Sequence, residues 1–163
     1  MKIIFLIRHL NHAGAERQLV TLAKRLQKQG HRVAVAVFYA GGPLEAELRE
    51  SEIPVHSLDK GGRWDIPGFT YRLIKLVRQE QPDILHGYLS VSNIFTALIG
   101  LICPRVQVAW GIRSSNMNLR NYDWLMGLSY RVERLFSRFA DLIIVNSHAG
   151  LDYAVEQGYP CEK

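Results

Sequence analysis

"KIIFLIRHLNHAGAERQL", residues 2–19, decides the fold. It opens with an unbroken apolar run, Ile3 to Ile7, where a strand with one wet face would alternate, so it reads as a strand buried on both faces. From Ala15 onward the apolar period changes. Leu19, Leu22, Ala23 and Leu26 fall on one side of a helix that Gly30 stops. Between the two lie polar residues and Gly14. A buried strand, a glycine-bearing loop and an amphipathic helix make the first half of a strand–helix–strand unit.

The same alternation repeats along the chain. "HRVAVAVF" is a second strand. "GGPLEAELRESE" is a short helix with Pro43 near its start. "PVHSL" is a third strand. "DIPGFTYRLIKLVRQEQ" is a helix in which Asp65 can cap the first turn and Leu73, Leu76 and Val77 follow the helical period. Pro82 ends it. "DILHGYL" is the fourth strand, "SVSNIFTALIGLIC" an apolar buried helix, and "RVQVAWGIR" the fifth strand with its exit loop. "NYDWLMGLSYRVERLFSRF" is a longer helix, with Trp124, Leu125, Leu128, Val132, Leu135 and Phe136 expected on its buried face. "DLIIVNS" is the sixth strand, and Ser147 can cap the last helix, which Gly158 stops. The expected fold class is α/β: a Rossmann-like, doubly wound, mostly parallel sheet of about six strands with helices on both faces. Residues 1–163 form one domain.

Composition narrows the classes. Hydrophobic residues make up 48% and charged residues 21% of the 163, which suits a globular chain and not a disordered one. Cys103 and Cys161 have no metal or disulfide spacing. The longest apolar run, Ile94 to Cys103, is half of what a bilayer crossing needs, and no cleavage site follows the N-terminal run. The net charge of +5 is uneven: six arginines between Arg105 and Arg138 face only Asp123 and Glu133. Such a basic, aromatic segment suits phosphate or an anionic membrane surface, and equally a solvated helix face. Those arginines are not interleaved with a nucleic-acid-binding motif, so no nucleic-acid partner is expected.

In sheets of this class ligands bind at the carboxyl ends of the strands. The polar residues stand there: His9, Asn11, His12, Gly14 and Glu16 after the first strand; His86, Tyr88 and Ser90 after the fourth; Arg113, Ser114, Ser115 and Asn116 after the fifth; Asn146, Ser147 and His148 after the sixth. "HAGAER" is neither a dinucleotide fingerprint nor a Walker loop. On residues alone, a ligand loop and a plain turn both stay open. His86 is a base or sugar contact, or a buried histidine bonded to the backbone. His9 and His12 lack the partners a metal would need.

Taken together, the stretches resemble glycosyltransferase family 4, the retaining enzymes of GT-B fold. Gly14-Ala15-Glu16-Arg17 resembles the family's Gly-Gly-Ala-Glu-Arg loop, and Gly30-His31 the end of its first helix. "GGPLEAELRESEIPVHSL", "QPDILHGYL" and "DLIIVNS" resemble its later stretches in the same order. Three departures stand out. Ala13 replaces the first glycine, and Tyr88 replaces the second histidine of His-x-His. Arg113 lies roughly where many members carry a histidine after the fifth strand. The family's Glu-x7-Glu motif, which belongs to a second, donor-binding domain, is absent from these residues.

The resemblance implies that residues 1–163 are the N-terminal, acceptor-side half of a two-domain enzyme whose C-terminal donor domain is missing from this chain. The whole enzyme would transfer a sugar, with retention, from a UDP- or GDP-linked donor to a glycan or lipid-linked acceptor hydroxyl. No metal and no cofactor beyond the nucleotide sugar is required. Gly14, Ala15, Glu16, His86, Tyr88, Arg113, Ser114, Asn116 and Ser147 would bind substrate, with Arg113 and His86 as candidate catalytic groups and the main carboxylates in the other domain. The chain alone is expected to be inactive. Localisation would be cytoplasmic, with peripheral contact at the inner face of the cell membrane. The alternatives are a stand-alone Rossmann-like nucleotide- or partner-binding module, and an inverting transferase or sugar-epimerase half. The last would need a catalytic carboxylate, for which Asp59 and Asp123 are the loose candidates.

Overall fold

A computed structural model describes residues 1–112, 124–160 and 162. The first unit forms as read. Strand β1 (Lys2–Ile7) runs into helix α1 (Gly14–Lys28) and then strand β2 (Arg32–Val37). There follow α2 (Pro43–Glu50), β3 (Val55–Ser57), α3 (Ile66–Glu80), β4 (Ile84–Tyr88), α4 (Ser90–Ile102) and β5 (Gln107–Ile112). Helix α5 (Trp124–Phe136), a 3-10 turn (Ser137–Phe139), β6 (Leu142–Val145) and α6 (His148–Glu156) complete the order. No described helix is long and apolar enough to cross a membrane.

The six strands form one sheet in the order β3-β2-β1-β4-β5-β6, and every pair is parallel. β1 lies at the centre. Its register places Leu6 beside Ala36 of β2 and beside Gly87 of β4. Both faces of β1 are covered, which is why its apolar run is unbroken. Phe5 and Ile7 join Leu19, Val20 and Ala23 of α1 and Leu44 and Leu48 of α2 on one face. Ile4 and Leu6 join Phe69, Leu73 and Val77 of α3 and Phe95 and Ile99 of α4 on the other. A third cluster around Trp110, Val108 and Ala97 carries this second layer out to Phe136 and Ile143. The Trp110 indole N–H donates to Thr96 Oγ1 at 3.1 Å, so its one polar atom is satisfied inside the core.

Two local expectations are corrected. Asp65 precedes α3, but its carboxylate caps nothing there. It accepts instead from the Gly61 amide at 2.8 Å and from the Arg72 guanidinium, tying the β3–α3 loop to the helix. In α5, Leu128 and Leu135 do not lie on the buried face: they are 46% and 54% exposed, beside exposed Arg131 and Arg138. The face turned inward carries Glu133, and of the stripe read from the sequence Val132 and Phe136 are partly buried while Leu128 and Leu135 meet solvent; the side chains of Trp124 and Leu125 lie outside the described residues.

Candidate functional site

The chain leaves β1 toward α1 on one face of the sheet, and leaves its neighbour β4 toward α4 on the other. Two connections that diverge to opposite faces open a crevice outside the strand ends, the place where such sheets bind ligands. One side of this crevice is the β1–α1 loop. Its conformation is fixed by the β2–α2 loop beside it. Leu44 N–H donates to Leu10 O at 3.1 Å, and Tyr39 N–H to Arg8 O at 3.3 Å. Gly42, at φ +114°, lies so close that an added Cβ would stand 2.6 Å from Leu10 O, so only glycine fits. Gly14 is different. An added Cβ there would meet nothing within 4 Å, so the helix start is open. The first amides of a helix have no partner within it and favour an anion.

The Arg8 guanidinium stands 6.0 Å over the Tyr39 ring, and the His9 ring stacks on the same tyrosine at 6.2 Å. Burial lowers the pKa of His9, and the Arg8 charge lowers it further against an opposing pull from Glu16. Both lowering effects favour the neutral imidazole. Its Nδ1 is buried with no partner among the described residues. Lys60 lies on the same side, buried, and donates to the carbonyls of Gly62 and Arg63, the latter at 3.1 Å. Arg8, Tyr39, His9 and Lys60 went unpredicted as a group, because three separate loops bring them together.

The opposite side is the β4–α4 junction. His86 is 4% exposed and sits between Phe5, at 5.1 Å, and Tyr88, at 5.0 Å between ring centroids. Tyr88 lines a cleft of about 370 Å³ with Arg17, Gln18, Thr21, Leu22 and Arg25 of α1. This cleft brings the predicted Tyr88 to the helix that begins at the predicted Gly14, Ala15 and Glu16. Glu16 itself is buried. Between Tyr88 and Ser90 stands Leu89, at φ +71° and ψ 158°. For a residue with a Cβ this is a strained backbone, costing on the order of 1–3 kcal/mol.

Behind the junction lies a buried polar cluster that the sequence did not announce. Glu133 of α5 is 3% exposed. Its carboxylate accepts from Asn93 Nδ2 at 2.7 Å and from the hydroxyls of Ser90 and Tyr159. Burial pushes its pKa up, and the three hydrogen bonds pull the other way. Its only outward signal was an acid next to Val132 in an amphipathic helix.

Of the remaining predicted residues, Ser147 ends two strands away from β4, and its Oγ accepts from the Gly150 amide at 3.0 Å as the cap of α6. Arg113, Ser114 and Asn116 lie outside the described residues, as does Asp123. Asp59 is exposed, and its Oδ1 accepts from Ser57 Oγ. Among the described residues no three His, Cys, Asp or Glu side chains gather as a metal site would need.

Residues 12–163 match the sequence profile of Glycosyltransferase Family 4. The chain is 34% identical over 113 residues to a Campylobacter jejuni subsp. jejuni serotype O:2 enzyme. That protein is named as the GalNAc-alpha-(1->4)-GalNAc-alpha-(1->3)-diNAcBac-PP-undecaprenol alpha-1,4-N-acetyl-D-galactosaminyltransferase. The match covers 65% of this chain and 31% of the enzyme. Among solved structures, HepE of Anabaena in complex with UDP superposes with a TM-score of 0.81 at 22% identity, over 99% of this chain and 42% of HepE. The UDP-GlcNAc 2-epimerase of Methanocaldococcus jannaschii superposes with a TM-score of 0.59 at 12% identity, over 99% of this chain and 43% of the epimerase. These superpositions bear on fold alone, since one fold serves several chemistries. The chain thus spans less than half the length of each of these relatives.

Proposed function

Because this chain belongs to glycosyltransferase family 4, we propose that it is the N-terminal, acceptor-side half of a retaining glycosyltransferase. The family match over residues 12–163 carries the reading. The share of each relative that the chain spans supports its being a half. The whole enzyme would take a UDP- or GDP-linked sugar. The bond from the anomeric carbon to the diphosphate breaks, and the electron pair leaves with the nucleoside diphosphate. A bond to the acceptor oxygen forms on the same face, and the acceptor proton leaves with the departing phosphate. Charge grows on that phosphate in the transition state, so fixed donors there accelerate the step.

On this chain the open amides at Gly14, Ala15 and Glu16, beside Arg8, would face the diphosphate. Tyr88, with Arg113, Ser114 and Asn116, would contact the acceptor. His86 supports that wall from within. The C. jejuni relative acts on an undecaprenol-linked glycan, which favours a lipid-linked acceptor here and contact with an anionic membrane. The outward stripe of α5 and the 3-10 turn that follows it, with Leu128, Arg131, Leu135, Arg138 and Phe139, suits such contact at the cytoplasmic face. The test is calorimetric titration of UDP and GDP into the full-length protein and into residues 1–163. Binding to the full protein about tenfold tighter than to the chain is expected if a second domain holds most of the nucleotide. Equal affinity would overturn the reading in favour of a stand-alone nucleotide-binding module.

A further inference from the structure

The crevice has a feature that the family loop and its neighbours do not explain: a leucine held where glycine would be at ease. Leu89 is the first residue beyond β4, at φ +71°, and its side chain remains 36% exposed at the carboxyl edge of the sheet. A large apolar side chain gains nothing from solvent, and a strained backbone persists only where its surroundings enforce it. Those surroundings are specific. Leu89 N–H donates to Gly111 O at 3.3 Å, and Asn93 N–H to Leu89 O at 3.0 Å. The next residue, Ser90, and Asn93 both donate side-chain hydrogen bonds to buried Glu133. Asn93 is fully buried, and its Oδ1 has no partner among the described residues, so the cluster tolerates an unmet acceptor to hold this arrangement. α5 is thereby pinned to the first turn of α4, and the turn leaves Leu89 partly exposed at the carboxyl edge of the sheet, where the crevice opens.

We propose that Leu89 contacts the pyranose ring of a substrate, through that ring's C–H face, and that Glu133 is a positioning residue acting on Leu89 through Ser90 and Asn93. This rests on the transferase reading above. The ring belongs to the acceptor or to the donor, and the two are separated by which KM moves. A glycine at 89 suits the positive φ and removes the apolar contact; a glutamine at 133 keeps the shape but turns an N–H toward three donors.

The experiment uses the full-length protein with a UDP- and GDP-sugar panel and a lipid-linked glycan acceptor, comparing wild type with Leu89→Gly, Glu133→Gln and the double variant. Leu89→Gly is expected to melt at or above the wild-type temperature, yet to lose about tenfold in kcat/KM. The loss should appear mainly in the KM of whichever sugar substrate the residue touches. Glu133→Gln is expected to move the same KM. The double variant should lose no more than the larger single loss, because the two residues act through one contact. Leu89→Gly with activity within twofold of wild type overturns the proposal, and so do losses that add. A wild type that transfers no sugar from any donor overturns the functional reading itself, and this inference with it.

Discussion

At the scale of single residues, the loops around the crevice tolerate little. Gly42→Ala would drive a Cβ against the Leu10 carbonyl at a positive φ, so it should cost about 2–3 kcal/mol, read from a urea midpoint. Gly87→Ala is a second test from the other wall. Its Cβ would stand 2.7 Å from Asn93 Oδ1 and 2.9 Å from Thr96 Oγ1, within the buried cluster behind Leu89. Overpacking there should cost about 1–3 kcal/mol. An unchanged midpoint in either variant would contradict the packing described. The sequence marked Gly14 as the important glycine of the loop region. In the structure Gly14 is open and Gly42, an anonymous member of "GGP", is the constrained one. A glycine's role depends on what comes near it, and Leu10 comes near Gly42 only once two separate units have folded.

At the scale of elements, the readings of β1, α1 and α3 match the structure: β1 is apolar on both faces and covered on both, and α1 and α3 each have one apolar face and one place to bury it. That of α5 does not, because its two apolar sets face different ways. Leu135→Ala should change stability by less than about 0.5 kcal/mol, whereas Leu73→Ala in α3 should cost about 2–5 kcal/mol. Equal losses would restore the buried reading of the α5 stripe. If the stripe meets a membrane, the protein should sediment with phosphatidylglycerol vesicles and not with phosphatidylcholine vesicles. The Arg131→Glu, Arg138→Glu double variant should then remain in the supernatant. Sedimentation unchanged by the charge reversal would remove the membrane role from this helix.

At the scale of the whole molecule, pH reads the charge pairs. Hydrogen bonding from Arg49 holds Glu45 below its ordinary value, Lys2 does the same for Glu80, and the Gly61 amide with Arg72 for Asp65. Groups lowered in the folded state add stability above their unfolded pKa and lose it as pH falls through the folded one. Unfolding titrations should therefore show stability dropping below about pH 4. Glu133 has the opposite sign: raised by burial, it favours the fold below its unfolded pKa and loses that contribution as pH rises through the folded one. Glu133→Gln should gain on wild type as pH rises above about 4, and a pH-independent difference would contradict its burial as an acid. The sheet and its parallel direction were legible, since they follow from apolar runs separated by helical periods; the strand order, and with it the switch point between β1 and β4, was not, because the spacing of runs along the chain does not say which strands pair. The site was legible only along the chain. Gly14, Tyr88 and Ser147 could be placed at strand ends, but not the grouping of Arg8, His9, Tyr39 and Lys60, nor the link from Glu133 to Leu89, which arise between loops and helices far apart in sequence. The central claim is that this domain is half of a retaining transferase. The most direct measurement is an assay of the full-length protein with a UDP- or GDP-sugar and an undecaprenyl-diphosphate-linked glycan, with the anomeric configuration of the product read by NMR. The account predicts transfer with the donor's configuration kept; an inverted product, or epimerised sugar released without transfer, would contradict it.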